Sequence, residues 1–321
     1  MRLLITGADG FLGRGLVAAL AAKAIPCELL LAQDVREVPA ERRLDGVVYE
    51  RQDVRDPGLA EALKRHRIDT VVHLASIVTP GRGSSREFEY SVDVLGTQNL
   101  LQACVATGVR HLLVSSSGAA YGYHADNPAW LAEHHSLRGN EAFAYSHHKR
   151  LVEEMLALYR HQHPQLKQTV LRIGTILGER VDNQITALFE KKRLIAIRGS
   201  ASPFVFIWDE DVIGAFLHAL RSGREGVYNL AGDGALSIHE IAALLHKRTT
   251  DFPAGLLKAL LWLGARLGVS RYGPEQLDFL RYRPVLDNAR LKAELGFVPA
   301  RSSREALLSF IAARRAQGRP L

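Results

Sequence analysis

The sequence has few cysteines, few aromatic residues and no long apolar run. Its two cysteines among 321 residues, Cys27 and Cys104, lie in apolar segments without metal-ligand spacing, so we expect buried thiols and no metal site. The net charge of +7 comes from scattered arginines, which argues against a nucleic-acid partner. No apolar run is long enough for a transmembrane segment. Because Met1 and Arg2 lead straight into a predicted strand, we expect a cytoplasmic protein without a signal peptide.

Glycine is plentiful, and three glycines cluster near the beginning of the chain. Residues 6–13 read T-G-A-D-G-F-L-G and separate an apolar strand pattern from an apolar helix pattern. Without a Cβ atom at Gly7, Gly10 and Gly13, the backbone can turn sharply and lie against a pyrophosphate. The free N–H groups at the start of the next helix would face the phosphate charge. A structural turn that merely contains glycine is the alternative.

An acid ends the second predicted strand. Residues 27–33 form an apolar run that ends at Asp34, 21 residues after Gly13. This spacing fits the carboxylate that bonds the adenosine ribose hydroxyls in a dinucleotide-binding βαβ unit. Arg36 could instead accept a 2′-phosphate, but Asp34 would repel that group. We therefore predict NAD as the cofactor, with NADP as the alternative.

Strand and helix patterns alternate through residue 173 and predict an α/β fold with a doubly wound parallel Rossmann sheet. The predicted strands and helices of this part, after the first two strands, lie near 47–50, 57–66, 69–75, 86–107, 111–115, 143–161 and 168–173. Beyond it, helices are predicted near 184–193, 209–221 and 237–247 and strands near 204–207 and 227–230. We expect a dinucleotide-binding domain at 1–175, with returning pieces near 204–230, and a smaller, discontinuous substrate-binding lobe within 176–321.

A tyrosine and a lysine four residues apart carry the predicted chemistry. Tyr145 and Lys149 would lie on one face of a helix, where the ammonium favours the phenolate and lowers the tyrosine pKa. Such a tyrosine can exchange a proton with an alcohol oxygen. Ser117, just after a predicted strand, would hold the same substrate oxygen. A chance pair on a helix surface is the alternative interpretation.

These motifs, in this order, resemble the extended short-chain dehydrogenase/reductase superfamily, which includes nucleotide-sugar epimerases and dehydratases and the 3β-hydroxysteroid dehydrogenases. The resemblance covers nearly the whole chain and includes V-H-L-A at 72–75 and S-S-S-G-A-A-Y-G at 115–122. It implies that Ser117, Tyr145 and Lys149 are catalytic. It implies cofactor contacts at Gly7, Gly10, Phe11, Leu12, Gly13, Asp34, Asp53, Val54, Leu74, Ala75, Ser115, Tyr145, Lys149 and Ile173.

Several positions depart from the pattern of this superfamily. Gly118 and Ala119 stand where 4,6-dehydratases carry an acidic pair, so we do not expect that dehydration. Asp93 replaces the asparagine of the N-V-x-G-T motif, and its charge state is open. Phe204 stands where an arginine meets the diphosphate of nucleotide sugars, and 175–179 replaces the N-V-Y-G-P turn. These losses favour other substrates, such as steroid-like, isoprenoid or acyl alcohols.

The sequence therefore predicts an NAD-dependent oxidoreductase that acts on the secondary alcohol or ketone of a small molecule. It would work as a dehydrogenase or reductase, or as an epimerase with a transient ketone. A catalytically silent NAD(P)-sensing regulator or scaffold is the alternative. The resemblance also implies a homodimer formed by the helices at 86–107 and 143–161. The apolar helix predicted at 252–267, which contains Lys258 and Arg266, would pack on the substrate lobe or on a subunit partner, or else form a lid over an apolar substrate or contact a membrane surface.

Overall fold

A computed structural model of the chain describes residues 1–81, 83–267, 273–274 and 276–321. The run G-R-G-S-S at 81–85 predicts a loop after the strand at 69–75, and its Arg82 lies outside the described residues. The strands are β1 Arg2–Thr6, β2 Leu29–Asp34, β3 Val47–Arg51, β4 Thr70–His73, β5 His111–Ser117, β6 Lys167–Ile173, β7 Thr175–Leu177, β8 Arg193–Ile197, β9 Phe206–Trp208, β10 Gly226–Leu230 and β11 Arg248–Phe252. The α-helices are α1 Phe11–Ala21, α2 Leu59–Arg65, α3 Arg86–Tyr90, α4 Gly96–Thr107, α5 Ala144–Gln162, α6 Gln184–Phe189, α7 Asp209–Ser222, α8 Ile238–Leu244, α9 Ala254–Arg266, α10 Gln276–Arg281 and α11 Ser303–Ala316.

Seven strands form one sheet in the order β3-β2-β1-β4-β5-β6-β10, and every neighbouring pair is parallel. This arrangement confirms the predicted doubly wound parallel sheet. The chain winds outward in both directions from β1 and β4. A crevice opens where the carboxyl ends of these two strands diverge, which is where open α/β sheets bind ligands.

Apolar side chains on both faces of the sheet explain why its strands are almost continuously hydrophobic. Leu3 and Ile5 of β1 pack with α1 and α7, whereas Leu4 packs with α2, α4 and α5 on the other face. Successive side chains of a strand point to opposite faces, so a strand covered on both sides needs apolar residues at every position. The sheet is therefore a rigid layer between two helical layers.

The long helix predicted at 86–107 is present as α3 and α4, joined by a π-helical turn at Ser91–Leu95. Ser85 caps its start, because the Ser85 hydroxyl accepts a hydrogen bond from the Phe88 N–H at 3.1 Å. Gly108 ends it with φ of +74°, a left-handed conformation that glycine adopts without strain. The inserted turn places the buried Asp93 beside the end of β4.

Two further parallel pairs, β8 with β11 and β7 with β9, build the smaller C-terminal part. They surround an apolar cluster that includes Phe189, Phe204 and Phe206. The sequence did not reveal β7, β8 and β11, and the helix predicted at 184–193 ends at Phe189. Runs of three to five residues are too short for periodicity to separate helix from strand. The domain boundaries at 175 and 176 stay a prediction.

Candidate active site

The carboxyl ends of β1, β4, β5 and β6 open onto one cavity of about 640 Å³. The predicted site residues that line it are Gly7, Gly10, Phe11, Leu12, Gly13, Leu74, Ser115, Ser117, Tyr145, Lys149 and Ile173. The fold thus brings the glycine turn and the three predicted catalytic residues to one place. Asp34, Asp53, Val54 and Ala75 lie outside this lining.

The glycine turn packs tightly against the end of β4. Gly7 has φ of +67°, and a Cβ atom there would lie 2.7 Å from the Ala75 nitrogen. A Cβ atom on Gly13 would lie 2.2 Å from the Gly7 oxygen. Any larger residue at these positions would push the turn out of place. Helix α1 starts at Phe11 without an acidic residue in its first turn, so its free N–H groups present positive charge to the cavity.

Asp34 lies beside the glycine turn, at the end of β2. Its buried carboxylate accepts hydrogen bonds from the Asp9 N–H at 2.9 Å and from the Arg36 N–H at 3.1 Å. The Arg42 guanidinium is 2.7 Å from the Asp9 carboxylate, and Arg36 reaches the same group at 3.6 Å. Arg14 also reaches the Asp9 carboxylate, at 3.9 Å, so two carboxylates and three guanidinium groups meet at this end of the turn.

Asp53 and Val54 make contacts that serve the fold. The Asp53 carboxylate pairs with Arg55 at 2.6 Å, and this hydrogen bond lowers the pKa of Asp53. Val54 is buried, and its side chain touches α4 so closely that a Cβ atom on Gly96 would lie 2.7 Å from it. The adenine contacts expected at Asp53 and Val54 stay predictions.

Ser117, Tyr145 and Lys149 come together from β5 and α5. The Ser117 hydroxyl, at the end of β5, accepts a hydrogen bond from the Ala119 N–H at 3.1 Å and opens a 3₁₀ turn at Gly118–Tyr121. Lys149 donates from Nζ to the Ser115 carbonyl at 3.0 Å. The same Nζ lies 5.6 Å from the centroid of the Tyr145 ring. The ammonium is therefore fixed between the end of the strand and the tyrosine.

The chain is similar to known proteins over most of its length. The model of the NAD dependent epimerase/dehydratase family matches residues 3–231. The chain belongs to this family. An uncharacterized protein of Mycobacterium tuberculosis is 25% identical over 308 residues, which are 95% of this chain and 81% of that protein. The UDP-glucose 4-epimerase of Mycolicibacterium smegmatis is 26% identical over 315 residues, which cover 93% and 94% of the two chains.

Among solved structures, the Thermus thermophilus UDP-glucose 4-epimerase in complex with NAD has a TM-score of 0.71 at 25% identity, covering 98% of this chain and 99% of that one. The resemblance to the extended short-chain dehydrogenases/reductases is thereby confirmed. The chain is an enzyme of the NAD-dependent epimerase/dehydratase type.

Asp93 is buried, and both of its carboxylate oxygens have hydrogen-bond partners. Its Oδ1 accepts hydrogen bonds from the Ser76 hydroxyl at 3.0 Å and the Ile77 N–H at 2.8 Å, and its Oδ2 lies 3.2 Å from His148 Nδ1. Burial opposes ionisation of Asp93, but the His148 hydrogen bond and the Lys149 charge outweigh it and lower the Asp93 pKa. The contacts with His148 and Lys149 therefore favour the charged form of the Asp93 carboxylate.

Arg283 is a cavity residue that sequence reasoning missed. Its guanidinium carbon lies 3.9 Å from the centroid of the Phe204 ring and 5.0 Å from that of Phe279, and Nη1 donates to the Leu280 carbonyl at 3.0 Å. Removal from water lowers the Arg283 pKa to about 9, although the nearby Tyr123 opposes this shift. Within the described ranges, Nε of Arg283 has no hydrogen-bond partner and no carboxylate pairs with the guanidinium.

The position of Arg283 changes the interpretation of Phe204. Phe204 is buried, and its ring supports a guanidinium that arrives from the segment after α10. A guanidinium therefore lies beside position 204 in the cavity wall although that position is phenylalanine. No motif in the sequence pointed to Arg283, because its contact with Phe204 joins segments that are distant along the chain.

Proposed function

We propose that this enzyme uses NAD to move a hydride between nicotinamide C4 and a secondary alcohol or ketone carbon of a small-molecule substrate. The observation that carries the proposal is the convergence of Ser117, Tyr145 and Lys149 on the cavity that also contains the glycine turn. A phenol, an ammonium and a hydroxyl around one cavity provide proton exchange and oxygen binding for that reaction.

The residues around the glycine turn fit NAD. Because Gly7 and Gly13 carry no Cβ atom, the turn packs closely on itself and on the end of β4, and this leaves the start of α1 facing the cavity, where its N–H groups suit a pyrophosphate. The Asp34 carboxylate, beside the same turn, suits the ribose hydroxyls of the adenosine. When bound, NAD supplies the hydride acceptor or donor.

Tyr145 exchanges the proton in this proposal. In the oxidising direction, its phenolate oxygen removes the proton from the substrate hydroxyl as the adjacent C–H bond releases its hydride. The Lys149 ammonium lies beside the Tyr145 ring and is held in place by the Ser115 carbonyl. Ser117 donates a hydrogen bond to the substrate oxygen and orients it. The same groups return the proton in the reducing direction.

Arg283 supports a substrate that carries a phosphate or carboxylate group. A guanidinium inside a cavity, supported by aromatic rings and without a carboxylate partner in the described segments, is suited to binding such an anion. Because of Arg283, nucleotide sugars are candidate substrates, in addition to the apolar alcohols that Phe204 suggested. Gly118 and Ala119 still argue against 4,6-dehydration, so an epimerase or a dehydrogenase fits best.

The test is a substrate panel assayed with NAD⁺ and NADH. The panel contains UDP-sugars, dTDP-sugars, uncharged sugars and apolar secondary alcohols. Absorbance at the nicotinamide band measures net cofactor turnover, and NMR identifies the product. Epimer formation without net NADH change marks an epimerase, and stoichiometric NADH change marks a dehydrogenase. The variant Arg283→Met should bind the phosphorylated substrates more weakly than the wild-type enzyme does.

Tyr145→Phe tests the mechanism with whichever substrate is found. We expect its kcat to fall by about 100-fold or more, because proton transfer by a positioned side chain contributes about that much. Tyr159→Phe, on the same helix but outside the cavity lining, is the matched control and should keep its rate. Full activity of Tyr145→Phe would show that this mechanism is wrong.

A homodimer is part of the proposal. Two helices expected to form the contact carry exposed apolar side chains, namely Phe88 and Leu95 on the α3–α4 helix and Leu158 on α5. The two helices also pack against each other within one chain. Apolar side chains that remain exposed on adjacent helices support a contact with a second copy.

A further inference from the structure

Helix α9 exposes a row of large apolar side chains. Leu256, Leu260, Trp262, Leu263 and Leu267 are between 47% and 66% exposed. Four of them recur at the spacing of one helix face, and Trp262 lies beside them. Leu267 continues the helix, since its N–H donates to the Leu263 carbonyl at 3.0 Å. We call these five residues the α9 ridge.

The α9 ridge does not belong to the protein core, because the opposite side of the helix already packs there. Leu257 and Leu261 join Ile197 of β8 and Leu277 and Leu280 of α10 in an apolar cluster. A surface helix normally turns its apolar face inward and its polar face to water. Helix α9 is apolar on both sides, so its outer face needs a different explanation.

The charged side chains on α9 itself are both positive. Lys258 and Arg266 are its charged residues, and the Arg266 guanidinium lies 5.3 Å from the Trp262 ring. On the neighbouring elements, Asp251 precedes Phe252 in β11 and lies 3.7 Å from His239, and Asp278 lies on α10. An apolar ridge with Lys258 and Arg266 on the same helix complements a surface that has an apolar interior and an anionic outer layer.

We infer that the α9 ridge docks on the surface of a membrane that contains anionic lipid. Interfacial helices bury an apolar face at the boundary between headgroups and acyl chains and place lysine and arginine among the headgroups. Within the described residues, the helices are too short or too polar to cross a bilayer. The ridge therefore lies on the membrane and does not span it.

The size of the α9 ridge favours a membrane over a second copy of the chain. Five side chains that are about half exposed present roughly 400 Å² of apolar surface. A stable protein interface buries about 800 Å² on each partner. The ridge is too small for that contact by itself, whereas an interfacial helix needs only one apolar face.

The docked helix would lie next to the candidate active site. Leu280 of α10 packs in the cluster under α9, and the preceding Phe279 lines the cavity. Helix α10 therefore connects the α9 ridge to the wall of the site. The docking is inferred from α9 alone and does not depend on the proposed reaction.

Vesicle sedimentation with the full chain tests the inference. We expect binding to vesicles of phosphatidylcholine mixed with phosphatidylglycerol to exceed binding to phosphatidylcholine alone by about tenfold, and to weaken as salt is added. Leu260→Glu should lose about tenfold in binding, because it places a charge in the ridge. Leu308→Glu makes the same change at an exposed leucine of α11 and should bind normally.

Trp262 provides a second readout that does not disturb the ridge. Its fluorescence should shift to shorter wavelength when anionic vesicles are added, since the indole moves from water into the headgroup region. The shift should disappear in Trp262→Phe and persist in Trp130→Phe, which removes another exposed tryptophan.

Two results would overturn the inference. One is the absence of wild-type binding and of the Trp262 shift with anionic vesicles. The other is self-association without vesicles, measured by sedimentation equilibrium, that Leu260→Glu abolishes and Leu308→Glu does not. That second result would assign the α9 ridge to a second copy of the chain.

Discussion

Replacing Asp34 with asparagine should change the preference between NADH and NADPH. The asparagine oxygen can still accept the Asp9 N–H, so the turn keeps its shape while the negative charge is lost. Arg36 and Arg42 remain close by to meet a 2′-phosphate. The wild-type enzyme should prefer NADH, and Asp34→Asn should bind NADPH better and NADH less well.

The expected size follows from the charges at this site. Two unit charges 4 Å apart repel by about 1 kcal/mol in water and by about 4 kcal/mol at a dielectric constant of about 20. A 2′-phosphate carries nearly two negative charges. Because it would be partly exposed to water and close to Arg36 and Arg42, we expect the Asp34 carboxylate to repel it by about 2–3 kcal/mol. This corresponds to about 30- to 150-fold in the affinity ratio.

Titration calorimetry with NADH and NADPH measures the ratio without knowledge of the substrate. Glu37→Gln is the matched control, because it removes the same charge from an exposed residue that pairs with Arg43 at 3.1 Å. It should leave the ratio unchanged. The reasoning fails if wild-type protein binds NADPH as tightly as NADH, or if Asp34→Asn and Glu37→Gln alter the ratio equally.

Three further changes test other parts of the structure. Gly13→Ala should weaken NADH binding by about 100-fold, because its Cβ atom would lie 2.2 Å from the backbone of the glycine turn. Gly15→Ala is the control: its Cβ atom would meet only a side chain, at 3.2 Å, so calorimetry should show normal binding. Asp93→Asn should lose about 1.5–3 kcal/mol of unfolding free energy at neutral pH. Because the pKa of Asp93 is lowered in the folded protein, the extra stability of the wild type is complete above pH 3.8, the ordinary pKa, and is lost as the pH falls through the pKa of the folded state. Urea unfolding at several pH values measures this dependence, and its absence would contradict the pairing of Asp93 with His148. Leu158→Glu should convert a dimer to a monomer in light scattering, and an unchanged mass would exclude this face.

The local parts of the site could be predicted from the sequence. The glycine turn depends on backbone conformation within eight residues, and Asp34 follows it at a distance set by one helix and one strand. Tyr145 and Lys149 share a face because four residues make about one helical turn. The alternation of long apolar strands with helices was enough to predict the parallel sheet.

Other parts required contacts between distant segments. The short strands β8 and β11 stabilise each other, and neither carries a sufficient pattern by itself. The charge of Asp93 depends on His148, which is on another helix. A residue's burial and partners are set by packing, and local periodicity does not record them.

By itself, the sequence determined the sheet, the glycine turn and the helical Tyr145–Lys149 pair, because each follows from chain geometry over one or two elements. Only the tertiary structure decided that Ser117 joins this pair in one cavity and that Arg283 lies over Phe204. It also decided that α9 packs one apolar side inward and leaves the other exposed. The hydrophobic pattern shows how much apolar surface a segment has, but the packed neighbours determine which part stays in contact with water.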